Sequence, residues 1–439
     1  LSRVFPFDLG FCIGFQIGME IPHIARDREQ VHARHLEHNL GTMYGADYIG
    51  AGVGAAIWVL VCLRMPIIYA AVGTAALNTL VGFAFLTVYR RELRPAVALW
   101  LGHGMMVAVV VVVATLGNDW MHRLEDTLFK DRVVHRLQSP YQNAVITKRH
   151  IAPDLPNVLS LYINGRLQFA SNDEAIYHAF LTTPAMLAAN RRDNVLVLGG
   201  GDGLALRDLL RWNPKEVVLI DIDEQVVGLF SGNDATAPTP LSRELVHLNR
   251  QAFLDARVHT VIGDAFVEVE RLAAEGHAFD VVIGDLPDPS HPDLNRLYSD
   301  YFFARIAQVL GADGVLATQS TSPFHAKEAF LSIGKTMTAA GFLVEQYRAN
   351  VPSFGEWGWS IGVLSGATAS ERIARHPSAE IPDGWLTVEH VLAAFSFPAG
   401  YYDKTQGIAI NRLGSHVLFQ YHQQSWHRNR GVFFTPAVP

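Results

Sequence analysis

Apolar residues are spread unevenly along this chain. Up to about residue 118 they come in long runs with few interruptions, and beyond it they alternate with charged positions as in an ordinary globular protein. Four runs stand out, at 4–22, 48–63, 67–89 and 96–117. A helix needs about 20 apolar residues, at a rise of 1.5 Å each, to cross a hydrocarbon core of ~30 Å. The last two runs meet that easily, whereas Glu20 and Asp47 lie at the ends of the first two. Gly50, Gly52, Gly54 and Ala55 suit close helix–helix contact in lipid. A water-soluble bundle is the alternative, but four such runs leave little polar surface. The pattern predicts an α-helical transmembrane region over 1–120 with about four helices. The chain opens inside an apolar stretch without a methionine, so an upstream segment is expected and the span count is incomplete.

The period then changes. Residues 118–136 are charged and amphipathic and predict a connecting helix. Short β-like runs follow at 143–148, 159–163 and 166–169, the last two joined by Asn164-Gly165, a strong hairpin signal. After a predicted helix over 175–189, strands at 194–198, 216–220, 258–262, 279–283 and 314–318 alternate with helical segments. That alternation predicts a doubly wound, mostly parallel sheet. The fold class is therefore a transmembrane helical region followed by an α/β Rossmann-like, methyltransferase-type domain with a small N-terminal β-hairpin subdomain. The expected boundaries are 1–120 for the membrane helices, 121–185 for the linker helix and β-rich subdomain, 186–365 for the Rossmann-like domain and 366–439 for a C-terminal appendage. Within the appendage, Thr387 is placed to cap a short helix, and the aromatic-rich end suggests packing or a homo-oligomer contact.

Composition narrows the partners. Charged residues make up 18% of the chain, against about 25% in a typical soluble domain. A net charge of −7 gives no ground for a nucleic-acid partner. Cys12 and Cys62 both sit in apolar runs, so no disulfide framework is indicated. His32, His35 and His38 recur at one-turn spacing among Arg26, Arg28 and Arg34, which reads as a basic interfacial segment rather than a metal site. Glu20 and Asp47 near the span ends likewise suggest an interfacial role more than a transport path.

The chemistry concentrates after residue 194. A strand runs directly into Gly199-Gly200-Gly201-Asp202-Gly203, where a nucleoside-like ligand can approach the backbone closely. Asp221, ending the next strand, is placed to accept hydrogen bonds from a ribose. This pairing alone fits a nicotinamide enzyme or any transferase using an S-adenosylmethionine-type donor. Asp285-Leu286-Pro287-Asp288-Pro289 adds a rigid acidic loop at a strand's C-terminal end.

Taken in order, Ser139-x-Tyr141-Gln142, Gly165-x-x-Gln168, Asp173-Glu174-x-x-Tyr177-His178, the Gly199–Gly203 turn, Asp221-Ile222-Asp223, Gly263-Asp264-Ala265 and Asp285-x-x-Asp288-Pro289-x-x-Pro292 resemble the spermidine synthase (polyamine aminopropyltransferase) family. With its apolar front end, including residues 14–22 and Asp47-Tyr48-Ile49-Gly50, the chain is similar to the family's bacterial membrane-embedded branch. The resemblance covers about half the chain. It implies aminopropyl transfer from decarboxylated S-adenosylmethionine, a co-substrate, to putrescine, with no cofactor and no metal. With the apolar runs it also implies residence in the inner membrane, with the lipid bilayer as partner, and because such a donor is made in the cytosol the catalytic domain is expected to face the cytoplasm. By this resemblance Gln142, Asp221, Asp264, Ala265 and Pro292 hold the thioadenosine part of the donor beside the Gly199 and Gly201 turn. Asp202 grips the donor's amine, and His178, Asp202, Asp285 and Asp288 surround the acceptor, with Asp285 taking its proton.

The residue types suit that chemistry independently. Donor and acceptor are both cations, so their cleft should be rich in carboxylates. An alkyl amine, with a pKa near the ~10.4 of lysine, must lose a proton before it attacks carbon. Two positions depart from the family pattern. Leu286-Pro287 replaces small hydroxyl residues between the aspartates, and Phe354 stands where a tyrosine is usual, with Trp357 and Trp359 nearby as candidate stacking or packing residues. An S-adenosylmethionine-dependent methyltransferase is the competing enzyme, disfavoured because Val197-Leu198-Gly199 lacks the usual acidic residue before the turn. A non-catalytic membrane polyamine sensor or transport accessory is the other alternative, and the intact Asp202, Asp285 and Asp288 speak against it.

Overall fold

The computed structural model describes residues 36–432 apart from 63–64, 66, 92–95, 128, 383 and 404. The expected span at 4–22, with Glu20, and the residues His32 and His35 lie outside the described residues. The chain divides into two compact units, Leu1–Glu125 and Asp126–Pro439.

The described part of the first unit is helical: α1 spans Leu36–Leu60, α2 Ile67–Val88 and α3 Ala96–Asp126. Because α1 starts well before residue 48, Asp47 lies inside a helix rather than at its end. Helices α2 and α3 run antiparallel, with Phe83 edge-on to Trp100 at 5.8 Å and Gly117 beside Ile68. Both are long and apolar enough to cross a membrane. Their apolar side chains, Leu80, Val81, Leu101 and Val111 among them, are largely exposed.

The second unit opens with a four-stranded antiparallel sheet, β1 (Arg132–Gln138), β2 (Asn143–Arg149), β3 (Val158–Ile163) and β4 (Arg166–Ala170), in that order. Asn164 and Gly165, at φ 50° and 76°, make the expected tight turn between β3 and β4. The helix expected over 118–136 is corrected: α3 continues to Asp126, and β1 takes Arg132–Gln138. Leu137 packs with Ala144, Ile146 and Leu159, and this burial against β2 outweighs the segment's helical composition.

Helix α4 (Glu174–Ala188) leads into a seven-stranded sheet of order β10-β11-β9-β8-β5-β6-β7. Its strands are β5 (Asn194–Gly199), β6 (Glu216–Asp221), β7 (Val258–Ile262), β8 (Phe279–Asp285), β9 (Leu310–Gln319), β10 (Leu343–Val351) and β11 (Gly355–Val363). The five strands from β9 to β7 are parallel, and β11 and β10 add an antiparallel hairpin on the β9 edge. Strand β5 is a continuous apolar run from Val195 to Leu198 because both faces are covered. Val195 and Val197 pack with Leu206 and Val281 on one side, while Leu196 and Leu198 pack with Ile220 and Phe302 on the other.

Helices interleave with these strands: α5 (Leu204–Leu210), α6 (Glu224–Ser231), α7 (Thr239–Leu248), α8 (Ala265–Glu275), α9 (Asp300–Val309) and α10 (Lys327–Ala339). The tail adds α11 (Ala369–Ala374), α12 (Val388–Ala393) and α13 (Val417–Val432). Thr387 caps α12 as expected, accepting from the His390 amide at 3.1 Å. The tail is no loose appendage. Ile373 and Val391 join one core, Leu418 joins the other, and the Asn411 side chain donates to the Asn295 carbonyl at 2.8 Å.

Candidate active site

Strand order reverses at β5, since the chain proceeds to β6 and β7 on one side and to β8 and β9 on the other. Ligands in such sheets bind at the carboxyl ends of the strands flanking that point. Here those ends carry the glycine turn and the acidic loop, and the register pairs Gly199 directly with Asp285. Gly199, at φ 80°, has no room for a Cβ, which would run into the Asp285 carbonyl oxygen. At Gly201 a Cβ would fall 2.8 Å from Asp221 Oδ2.

Beside the glycine turn lies a set of carboxylates aimed at backbone amides. Asp221 accepts from the Gly201 amide at 2.9 Å and from the Asp223 amide at 2.8 Å. Burial nevertheless pushes its carboxyl up to about 6. Asp223 caps α6 and accepts from Ser139 Oγ at 2.6 Å, and Ser139 in turn accepts from the Gln142 amide at 3.1 Å. The β1–β2 loop bearing Gln142 is thereby tied to the end of β6. Asp264 caps α8, of which Ala265 is the first residue, and its second oxygen pairs with Arg296 at 2.6 Å. Arg296 belongs to the 3₁₀ turn that starts at Pro292, so Asp264, Ala265 and Pro292 are linked through it.

Across the glycine turn, His178, Asp202 and Asp285 each present an atom within 4.8 Å of the others. Tyr177 donates to Asp285 Oδ1 at 2.8 Å. Burial raises the Asp285 carboxyl above its ordinary value, against the opposing effects of the His178 charge and the Tyr177 hydrogen bond. Burial likewise raises Asp202 to about 6. Burial would lower His178, but its contact with Glu174 wins and lifts it to about 9. His178 Nδ1 donates to Glu174 Oε2 at 2.9 Å, and Glu174 also accepts from Arg207 at 2.7 Å. Arg207 continues to Asp208, also at 2.7 Å. A metal needs a neutral imidazole. The contact with Glu174 works against that by favouring the protonated ring.

The acidic loop is anchored from behind. Tyr298 donates to the Pro287 carbonyl at 3.0 Å, Gln319 donates to the Leu286 carbonyl at 2.9 Å, and the Leu286 side chain is in the core. Asp288 faces His422 of α13 at 3.5 Å. Phe354 packs edge-on to Tyr177, with centroids 6.1 Å apart, whereas Trp359 is fully buried and stacks on Tyr347. Trp359 is therefore a packing residue.

This geometry has counterparts. A family profile described as "Spermine/spermidine synthase domain" matches residues 174–373. A polyamine aminopropyltransferase of Shewanella oneidensis is 47% identical over 432 residues, covering 98% of this chain and 75% of that protein. The chain belongs to the polyamine aminopropyltransferase family. Polyamine aminopropyltransferase 2 of Ralstonia nicotianae is 34% identical, over 97% of this chain and 80% of its own. The fold is shared with a crystal structure of spermidine synthase in complex with the transition-state analogue AdoDATO, at a TM-score of 0.52 and 22% identity, covering 62% of this chain and 87% of that one. Enzymes of this family transfer aminopropyl groups, with decarboxylated S-adenosylmethionine as a substrate rather than a cofactor.

Several residues around the aminopropyltransferase site carry no role in the sequence reading: Tyr177, Glu174, Arg207 and His422. Glu174 had a signal, since it stands four residues before His178 on one helix face. His422 had none, because only the packing of α13 brings it to the acidic loop.

Proposed function

We propose that this aminopropyltransferase uses putrescine as acceptor, giving spermidine and methylthioadenosine, with Asp285 as the proton acceptor. The observation that carries this reading is the convergence of His178, Asp202 and Asp285 beside the glycine turn, with Tyr177 fixing one oxygen of Asp285. The acceptor nitrogen attacks the carbon joined to the sulfonium. A C–N bond forms, the C–S bond breaks with its electron pair going to sulfur, and the amine's proton goes to Asp285. Burial that raises Asp285 makes it a stronger base for an ammonium proton. Holding nitrogen and carbon in line supplies much of the rate.

In this reading Asp202 binds the donor's amine, and His178, Asp202, Asp285 and Asp288 surround the acceptor. Gln142, Asp221, Asp264, Ala265 and Pro292 hold the thioadenosine around Gly199 and Gly201. Phe354 lines the acceptor side through its contact with Tyr177.

We further propose that α2 and α3 cross the inner membrane and that the catalytic domain faces the cytoplasm. The exposed apolar surfaces of these helices support this, since soluble proteins rarely show contiguous apolar patches of such size. The 31 residues of α3 span roughly 46 Å, more than a ~30 Å hydrocarbon core.

The test is product analysis by mass spectrometry, using purified protein, decarboxylated donor and a panel of diamines. Spermidine and methylthioadenosine in equal amounts from putrescine support the reading. Preferential use of a longer amine overturns the acceptor assignment, and a methylated product from S-adenosylmethionine favours the methyltransferase alternative.

A further inference from the structure

Helix α13 reaches the acidic loop from the far end of the chain. Three contacts fix where it lies. Leu418 is fully buried in the core beneath the sheet, the Phe419 amide donates to Asn295 Oδ1 at 3.0 Å, and the Asn411 side chain donates to the Asn295 carbonyl at 2.8 Å. Asn295 sits in the 3₁₀ turn Pro292–Tyr298, a few residues after the acidic loop. The start of α13 is thus attached to the segment that carries the loop onward.

One turn further along, His422 is 1% exposed, and its Nε2 lies 3.5 Å from Asp288 Oδ2. A buried histidine of this kind requires polar partners. The two oxygens of Asp288 have different surroundings. Oδ2 faces the imidazole, while Oδ1 is buried and accepts no hydrogen bond among the described residues. A buried carboxylate oxygen without a donor is costly, so the arrangement is suited to an incoming cation.

We propose that His422 is a positioning residue for the acceptor: its Nε2–H holds Asp288 Oδ2, leaving Oδ1 turned toward the acceptor's ammonium group. The 3.5 Å approach is long for a hydrogen bond, and such contacts commonly tighten when the substrate binds. This inference rests on the reading of Asp288 as an acceptor-binding residue. It gives the C-terminal segment a direct part in amine recognition.

Two amide substitutions separate positioning from packing. His422→Gln puts a side-chain nitrogen about where the imidazole carries Nε2, and His422→Asn puts one about where it carries Nδ1. Both are polar and similar in size, but only the first reaches Asp288. With the purified full chain, His422→Asn should raise the putrescine KM about tenfold while the donor KM stays within about twofold, the size of one lost hydrogen bond to a charged group. His422→Gln should restore the putrescine KM to within about threefold of the parent. In an Asp288→Asn background, His422→Asn should add no further change, because the two residues act as one unit.

A parental putrescine KM in His422→Asn overturns the proposal. So does an equal loss in both amide variants, or a donor KM that moves with the acceptor KM. Asp288→Asn alone tests the underlying reading: an unchanged putrescine KM there removes Asp288 from the acceptor site, whereas a raised KM there with no effect at His422 removes only His422.

Discussion

Tyr177 donates its phenol hydrogen to Asp285 Oδ1 at 2.8 Å. The phenol keeps its proton, because burial raises it well above its ordinary value and the Asp285 charge adds to that. It therefore acts as a fixed donor that occupies one carboxylate oxygen and, in the proposed mechanism, leaves the other for the acceptor. Phe354 packs against the same ring, so the hairpin β10–β11 helps to set the phenol's orientation.

If Asp202 and Asp285 have the proposed roles, the carboxylates should set the acid limit of activity. Asp202 is raised to about 6 by burial, and Asp285 is raised in the same direction by the same cause. A raised carboxyl stays protonated to higher pH, so the site loses its charge as pH falls through about 6. Asp202 and Asp285 share one buried space and titrate as a unit. The expected kcat/KM for the donor falls on an acid limb near pH 6, where unperturbed carboxylates would place it near about 4. The donor is the right substrate to vary, because its amine remains protonated throughout this range. A flat profile down to about pH 5 would contradict the assignment.

Glu174 holds two buried cations, His178 at 2.9 Å and Arg207 at 2.7 Å. Glu174→Gln keeps the volume but removes the charge both of them face. Breaking a buried pair from one side costs roughly 3–5 kcal/mol. The variant should therefore show a clearly lower denaturant midpoint with an unchanged slope. His178 should also fall from about 9, since burial lowers it and only the Asp202 and Asp285 charges remain to raise it. An unchanged midpoint would mean that the network contributes little to stability.

The parallel strands and their glycine turn were legible because each strand is a short apolar run ended by turn residues, and Asn164-Gly165 marked the hairpin by backbone preference alone. Strand β1 was not, since Arg132, His135 and Arg136 break up its apolar positions and only pairing with β2 decides its form. The grouping of His178, Asp202 and Asp285 was legible only through family resemblance, because their nearness follows from strand order. Leu286-Pro287, a departure in sequence, is explained in space: Leu286 packs in the core and Pro287 supplies a carbonyl to Tyr298. The contact of His422 with Asp288 depends on α13 folding back across the domain, which no local pattern records.

Sidedness can be checked on membranes. Arg90 and Arg91 precede α3, while Arg123, Lys130, Arg132 and Arg136 fall at or beyond its end, so the positive-inside rule pulls both flanks inward. The supply of donor from the cytosol favours a cytoplasmic catalytic domain. In right-side-out vesicles the domain should resist added protease and become sensitive once the membrane is opened. Digestion from outside in sealed vesicles would reverse the topology.

Asp285→Asn tests the proton-transfer role most directly. The substitution keeps the shape of the side chain and its place beside Gly199 but removes the base. Turnover of putrescine with saturating donor should fall by roughly 10²–10⁴-fold, while donor affinity stays within about threefold of the parent. Near-parental turnover in this variant would contradict the assignment of Asp285 as the proton acceptor.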